Sequence, residues 1–374
     1  MLKSLLISYF FPPKIGGIEN YLDNVCKQLE NNKVVVLTEK IKNNFSFDKK
    51  YQYKILREEL FPWKFIRPSW LPLIWRIKNI IRNEKIDVIQ FGHYSNLVTL
   101  GLFLKKPFFV YTHGVDTLIP QKSYFQKKLM IYNLKKAKYI VANSEFMKNE
   151  LIKLGIDLQK IIVCRPCLDI SLYNNNYKID EIKRKYNLYG NKVILTIGRL
   201  IERKGQDSVI KALPKILEKI PNVHYLIIGD GPNKPELENL IKKMKLEDKV
   251  TLFGSIEDRP EVKSPFFQLS EVFVMPARKI SKQDIESFGI VYLEAQINRI
   301  PVIASFYGGA SEAIRDKESG FLVDSNNIDE IANTIIKLLA APELAKKMGE
   351  RGRDWVIKNF NWRNQIDLIK NLLK

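Results

Sequence analysis

The sequence predicts an α/β protein built from two doubly wound parallel sheets facing across a cleft, and three observations predict it. The chain has 374 residues, too long for one ordinary hydrophobic core. Short, continuous, β-rich apolar runs alternate along it with helix-length amphipathic segments, the pattern of strands buried on both faces. That series breaks in the polar, turn-rich stretch 169–185 and then starts again. Domains are therefore expected at 1–170 and 171–354, with 355–374 as a C-terminal helix folding back onto the first domain.

In the first domain the strand-like runs are 2–9, 34–38, 88–91, 108–112 and 139–142. The opening run is apolar enough to suggest a signal peptide, but Pro12, Pro13 and Lys14 follow where a small-residue cleavage site belongs, so it reads as the first strand. Ile18, Tyr21, Leu22, Val25 and Leu29 then fall on one helical face, with Gly16 and Gly17 just before them. This is strand, glycine turn, helix. In the second domain the runs are 193–198, 224–229, 250–253, 272–276 and 302–305. Ligands of such sheets bind at the carboxyl ends of the strands, which makes an interdomain cleft the expected site.

Composition narrows the function. The chain is 45% hydrophobic and 27% charged, with no apolar run near the roughly 18 residues of a membrane span. Three cysteines, Cys26, Cys164 and Cys167, do not make a secreted disulfide framework, so a cytoplasmic protein is expected. Cys164 and Cys167 form a C-x-x-C without a second ligand pair, and packed thiols are expected there. The net charge of +20 points to an acidic partner. Residues 1–170 hold 28 basic and 14 acidic side chains, a net +14, so the excess lies in the first domain.

The sharpest constellation is Glu286-Ser287-Phe288-Gly289-Ile290-Val-Tyr-Leu-Glu294, two carboxylates around a glycine turn that leads into an apolar helix. The amides of Phe288, Gly289 and Ile290 at a helix start suit an anion such as a diphosphate, and the flanking carboxylates suit sugar hydroxyls. An isolated pair of this kind would be two solvated glutamates. This pair is accompanied by Gly198-Arg-Leu-Ile-Glu-Arg-Lys-Gly205 after a strand, where Arg199 and Lys204 are placed to neutralise a leaving diphosphate. No Asp-x-Asp pair and no cluster with metal-ligand spacing occurs in the sequence. Charge stabilisation is therefore expected from protein groups, with no metal and no cofactor.

With these motifs stand Tyr9-Phe-Phe-Pro-Pro-Lys-Ile-Gly-Gly-Ile-Glu19, Thr112-His-Gly114, Ala142-Asn-Ser144, Gly229-Asp-Gly231 and Pro301-Val-Ile-Ala304 followed by Gly308-Gly309. In this order the chain resembles glycosyltransferase family 4, retaining enzymes of the GT-B fold with two Rossmann-like domains. The resemblance implies transfer of a hexose from a nucleoside diphosphate sugar, bound in the C-terminal domain, to an acceptor held by the N-terminal one. It implies a diphosphate on Arg199, Lys204 and the amides near Gly16 and Gly17, a ribose on Glu294, sugar hydroxyls on Glu286, and His113 at the reaction centre. Where the family has Asn-Gly-Val-Asp near the domain junction, this chain has Arg165-Pro-Cys-Leu-Asp169, with Cys167 in place of the glycine.

Residues 61–82 carry three of the five tryptophans and five cations without an acid, and 121–138 add six cations without an acid. Aromatics among Lys and Arg suit an anionic lipid surface, although Leu73, Ile74, Ile77, Ile80 and Ile81 also make an ordinary core face. The expected function is an envelope glycan or glycolipid glycosyltransferase, peripheral at the inner face of the plasma membrane. The donor leans to GDP-mannose on the segment 284–295, with UDP-sugars as the alternative. The competing functions are a GT-B epimerase or phosphorylase and, from another class, a nucleic-acid-binding protein, for which no recognised motif is present.

Overall fold

The computed structural model describes residues 1–14, 16–30, 32–41, 48–60, 71–173, 177–281 and 284–374, except the side chains of Val115 and Lys122. The chain divides into two units, one of Met1–Pro166 with Trp362–Lys374 and one of Cys167–Asn361. The boundary thus falls at Pro166 rather than at 170. Residues 355–361 also stay with the second unit, because the penultimate helix carries through to Asn359 before the chain breaks at Phe360 and Asn361.

In the first unit a parallel sheet runs in the order β3-β2-β1-β4-β5-β6-β7. Its strands are β1 Ser4–Ser8, β2 Val34–Glu39, β3 Lys54–Glu58, β4 Val88–Phe91, β5 Phe108–Thr112, β6 Tyr139–Ala142 and β7 Ile161–Val163. Helices α1 Gly17–Gln28, α2 Leu73–Asn83, α3 Tyr124–Lys136 and α4 Glu145–Lys153 connect them. Alternation along the strands splits the core into two layers. Leu5, Ile7, Val35, Leu37, Ile89, Phe91 and Val110 pack with Leu73 and Ile77 of α2, Met130 and Leu134 of α3 and Met147 and Leu151 of α4. On the opposite face Tyr21 of α1 meets Tyr111 of β5 and Trp362, with ring centroids 6.0 and 5.5 Å away.

The second unit repeats the plan with the order β10-β9-β8-β11-β12-β13. Here β8 is Lys192–Ile197, β9 Val223–Ile228, β10 Val250–Gly254, β11 Val272–Met275, β12 Val302–Ser305 and β13 Gly320–Val323. The helices are α5 Asp180–Lys185, α6 Gln206–Lys219, α7 Lys234–Lys243, α8 Pro260–Gln268, α9 Ile290–Ile297, α10 Ile328–Ala340 and α11 Pro342–Asn359, and α12 Trp362–Leu372 returns to the first unit. Val209, Leu213, Leu237, Ile331 and Ile335 cover one face of the sheet, while Phe267 and Tyr292 pack on Phe273 at the other.

Three strands, β3, β7 and β13, go beyond the sequence expectation. All three are sheet edges. An edge strand is half solvated and short, so KILRE lacks the continuous apolar run of a central strand and IIV is only three residues long. Both sheets change winding direction at one point, between β1 and β4 in the first unit and between β8 and β11 in the second. Loops leaving the carboxyl ends of such a strand pair diverge and leave room for a ligand.

Candidate active site

In the second unit those loops are 198–205 after β8 and, after β11, 276–281 with 284–289. The first contains a single 3-10 turn, Glu202–Lys204, ended by Gly205 in the left-handed region. The turn brings Lys204 Nζ within 2.9 Å of Glu286 Oε2, both side chains nearly buried. Arg203 joins them, with Nε 3.7 Å from the same oxygen and its guanidinium on Asp284 and the carbonyl of Ile285. Burial would raise the Glu286 carboxyl, but Lys204 and Arg203 outweigh it and hold the group below the usual carboxylate range. Glu286 is therefore an ionised acceptor at neutral pH. Arg199, expected beside Lys204, is instead exposed to solvent, while its carbonyl receives the Gln206 side-chain amide at 3.0 Å.

Behind Glu286 the loop is clamped. Phe288 is buried and meets Phe360 at 5.7 Å. Gly289 has φ 85°, and a Cβ there would lie 2.4 Å from the Tyr292 ring, whose hydroxyl is tied to the Met275 carbonyl at 2.9 Å. Only glycine fits this N-cap of α9. The amide of Gly309 donates to the Glu286 carbonyl at 3.0 Å, and a Cβ on Gly309 would fall 1.9 Å from the carbonyl oxygen of Ser287. Ile290 opens α9, whose first-turn N–H groups have no acceptor within the helix. A carboxylate, two cations and a helix start thus meet at the change of winding.

Glu294, a further turn along α9, is buried. Lys263 of α8 pairs with it and with Asp258, and the Tyr173 hydroxyl donates to its carboxylate. Lys263, Arg203 and Tyr173 were not among the residues expected from the sequence.

In the first unit His113 follows β5 and is nearly buried. Its ring stacks with Tyr111 and meets Tyr21 edge-on at 5.2 Å, and Nε2 donates to the Gly92 carbonyl at 2.9 Å. Asp116 accepts the backbone amides of His113 and Tyr94 at 2.9 and 3.0 Å, locking the two loops together. Burial pushes the His113 imidazole below the usual histidine range against the pull of Asp116 and the Gly92 carbonyl, so the ring is neutral. His93, not among the residues expected from the sequence, follows β4 beside it. Its Nδ1 is hydrogen-bonded to Ser8 Oγ at 3.1 Å, and burial, with His113 and Lys14 nearby, lowers it to about 3. Gly16 and Gly17 begin α1, where a Cβ on Gly16 would lie 2.4 Å from Glu19 Oε2. Glu19, three residues into that helix start, is its first-turn acid. The loop before it is moored by Arg57, which binds Asp48 through two nitrogens at 2.7 and 2.8 Å and the Pro12 carbonyl at 2.7 Å.

Residues 178–355 match the family described as glycosyl transferases group 1, and residues 15–172 match glycosyltransferase family 4. The chain belongs to glycosyltransferase family 4. Among relatives of this glycosyltransferase, the GDP-mannose-dependent α-(1-6)-phosphatidylinositol monomannoside mannosyltransferase of Mycolicibacterium smegmatis is 27% identical over 388 aligned positions, covering 99% of this chain and 97% of the relative. Anabaena HepE, crystallised with UDP, superimposes with a TM-score of 0.84 at 20% identity, covering 100% and 99% of the two chains. Sucrose-phosphate synthase of Thermosynechococcus elongatus gives 0.82 at 20% identity, covering 99% and 98%. The fold of the glycosyltransferase is GT-B, with two Rossmann-like domains.

Cys26, Cys164 and Cys167 of the glycosyltransferase are buried free thiols, and burial raises the first two. Among the described residues no group of three or more His, Cys, Asp or Glu side chains is placed to hold a metal ion. Arg203 had a signal in the sequence, as a second cation beside Lys204 in the same loop after β8. Asp116 also had one, as an acid three residues after the histidine it caps. Lys263 had none, because a lysine in an amphipathic helix reads as solvated.

Proposed function

We propose that this glycosyltransferase transfers a hexose, with retention, from a nucleoside diphosphate sugar to a glycolipid or envelope glycan acceptor. The observation that carries the donor assignment is the ionised Glu286 carboxylate held between Lys204 and Arg203 at the start of α9. Glu286 accepts hydroxyls of the sugar, and the amides of Ser287, Phe288, Gly289 and Ile290 with Lys204 and Arg199 take the diphosphate. Glu294 takes the ribose. In the first unit Gly16 and Gly17 offer amides to an anionic group, and neutral His113 serves the transferred sugar or the acceptor hydroxyl. The lean toward GDP-mannose is supported by the mycolicibacterial relative, while a UDP complex of a fold neighbour keeps UDP-sugars as the alternative. A thermal-shift panel of GDP, UDP, ADP and TDP tests the assignment. At about 100 times its dissociation constant the right nucleotide adds roughly 2.7 kcal/mol, or about 5–10 °C. No shift with any of the four would overturn it.

We further propose that the first unit docks on an anionic membrane through α2 and α3. Both helices pack on the same face of the sheet. Their outer sides expose Trp75 (73%), Tyr124 and Phe125 (75% each), with Lys78 and Lys128 ammonium groups 5.5 and 4.5 Å from the Trp75 and Tyr124 rings. Trp63, Lys64, Arg67 and Trp70, also expected in this surface, lie outside the described residues. Among the described residues no helix is long and apolar enough to cross a membrane. Sedimentation with anionic liposomes is expected at low salt and should be largely screened at 1 M, where the Debye length is about 3 Å. Neutralising Lys78, Arg82, Lys127 and Lys128 together should release the protein, since each nearby cation contributes about 1 kcal/mol. Equal binding to neutral and anionic vesicles, or none to either, would refute the docking.

A further inference from the structure

The buried charges around Glu294 have no role in the chemistry above. Lys263 lies in the middle of α8, its side chain only 6% exposed, and its ammonium meets Glu294 on one side and Asp258 on the other. Tyr173, from the 3-10 turn Ile170–Tyr173, donates to the same Glu294 carboxylate. Asp169 and Tyr177 lie close enough to Tyr173 to act on it electrostatically. Lys263 and Glu294 thus form a buried ion pair, with the half-buried Asp258 carboxylate on its outer side. A well-packed apolar set of similar volume would be at least as stable there, so stability alone does not account for the ion pair.

An ionised carboxylate has about four lone-pair directions. Lys263 and Tyr173 use two of them, both from the protein side, and the others remain for a ligand that donates. We propose that Lys263 is a positioning residue for the donor nucleotide: with Tyr173 it aims the Glu294 carboxylate, and its charge lets that carboxylate stay ionised while buried, ready to accept the two ribose hydroxyls. This rests on the placement of the ribose at Glu294 proposed above. Burial alone would drive the Lys263 ammonium down, but the two carboxylates hold it above the usual lysine range, so it remains charged. For Glu294, burial and the neighbouring Asp258 push the carboxyl up, while Lys263 and Tyr173 pull it down.

The signs follow. Ribose binding needs the carboxylate, so affinity is present above the Glu294 pKa and is lost as pH falls through it. Removing Lys263 raises that pKa, and the loss begins at higher pH. Removing the charge of Asp258 lowers it, and the loss begins at lower pH.

Calorimetry with GDP, and with UDP in parallel, from pH 5.5 to 8.5 tests this on the full chain. Lys263→Met is expected to move the affinity profile alkaline, so that the loss of affinity is larger at the acid end of this range and shrinks toward pH 8.5. Asp258→Asn is expected to move it the other way, and keeps the test decisive if Lys263→Met does not fold. A loss of the same factor at every pH, or an Asp258→Asn profile that does not move acid-ward, would overturn the proposal and leave Lys263 a structural ion pair. Glu294→Ala separates the two levels. If it weakens GDP and UDP no more than threefold, about the scatter of a context-dependent contact, the ribose assignment itself fails.

Discussion

Lys204→Ala is expected to lower kcat/KM for the nucleotide sugar by about 10²- to 10³-fold, the usual cost of removing one preorganised charge that stabilises a leaving group. Two effects add. The variant loses the cation proposed for the diphosphate, and among the described residues it leaves Glu286 with Arg203, at 3.7 Å, to hold its carboxylate ionised. Under the proposed roles the sugar-binding acceptor and the leaving-group cation are one ion pair, so Lys204→Ala and Glu286→Ala should be strongly non-additive in a double-mutant cycle. Additive losses would mean that the pair does not act as a unit. Since the sequence has no Asp-x-Asp pair, chelation is expected to leave the rate unchanged. A rate abolished by EDTA and restored by Mg²⁺ would move the charge stabilisation from these side chains to a metal.

Gly309→Ala is expected to cost about 1–3 kcal/mol of stability, the range of forced overpacking, and about 10²-fold in turnover, the cost of displacing a reacting contact by an ångström. The added methyl group would lie 1.9 Å from the Ser287 carbonyl oxygen, and that atom cannot swing away as a side chain would. Either the Gly309 amide gives up its 3.0 Å hydrogen bond to the Glu286 carbonyl or the whole 286–288 loop retreats. Both move the Glu286 carboxylate. A Gly309→Ala enzyme with wild-type turnover would show that the loop is not held from behind.

The glycines, strands and turns of this protein were legible because their causes are local. Gly289 was expected as the turn into α9, and a left-handed φ of 85° is a demand made by its immediate neighbours. The central strands were expected for the same reason, since a run such as Val193 to Ile197 carries its burial on both faces in its own composition. The edge strand β3 was not, because KILRE is decided by which neighbour it pairs with rather than by its own residues.

By itself, then, the sequence determined two parallel α/β units, the glycine turns at their strand ends, and the Glu286 to Glu294 element with its nearby cations, enough to reach glycosyltransferase family 4. Which charge meets which was decided only by tertiary structure. Lys204 reaches Glu286 across 82 residues and Lys263 reaches Glu294 across 31, because β8 lies beside β11 in the sheet and α8 and α9 lead into and out of β11. Arg199, just before Lys204 in the same loop, points to solvent instead. Backbone conformation is set within a few residues along the chain, whereas an ion pair is set by the order of strands in a sheet. Helical periodicity could place Lys263 on a face of α8, but only packing shows that face to be buried.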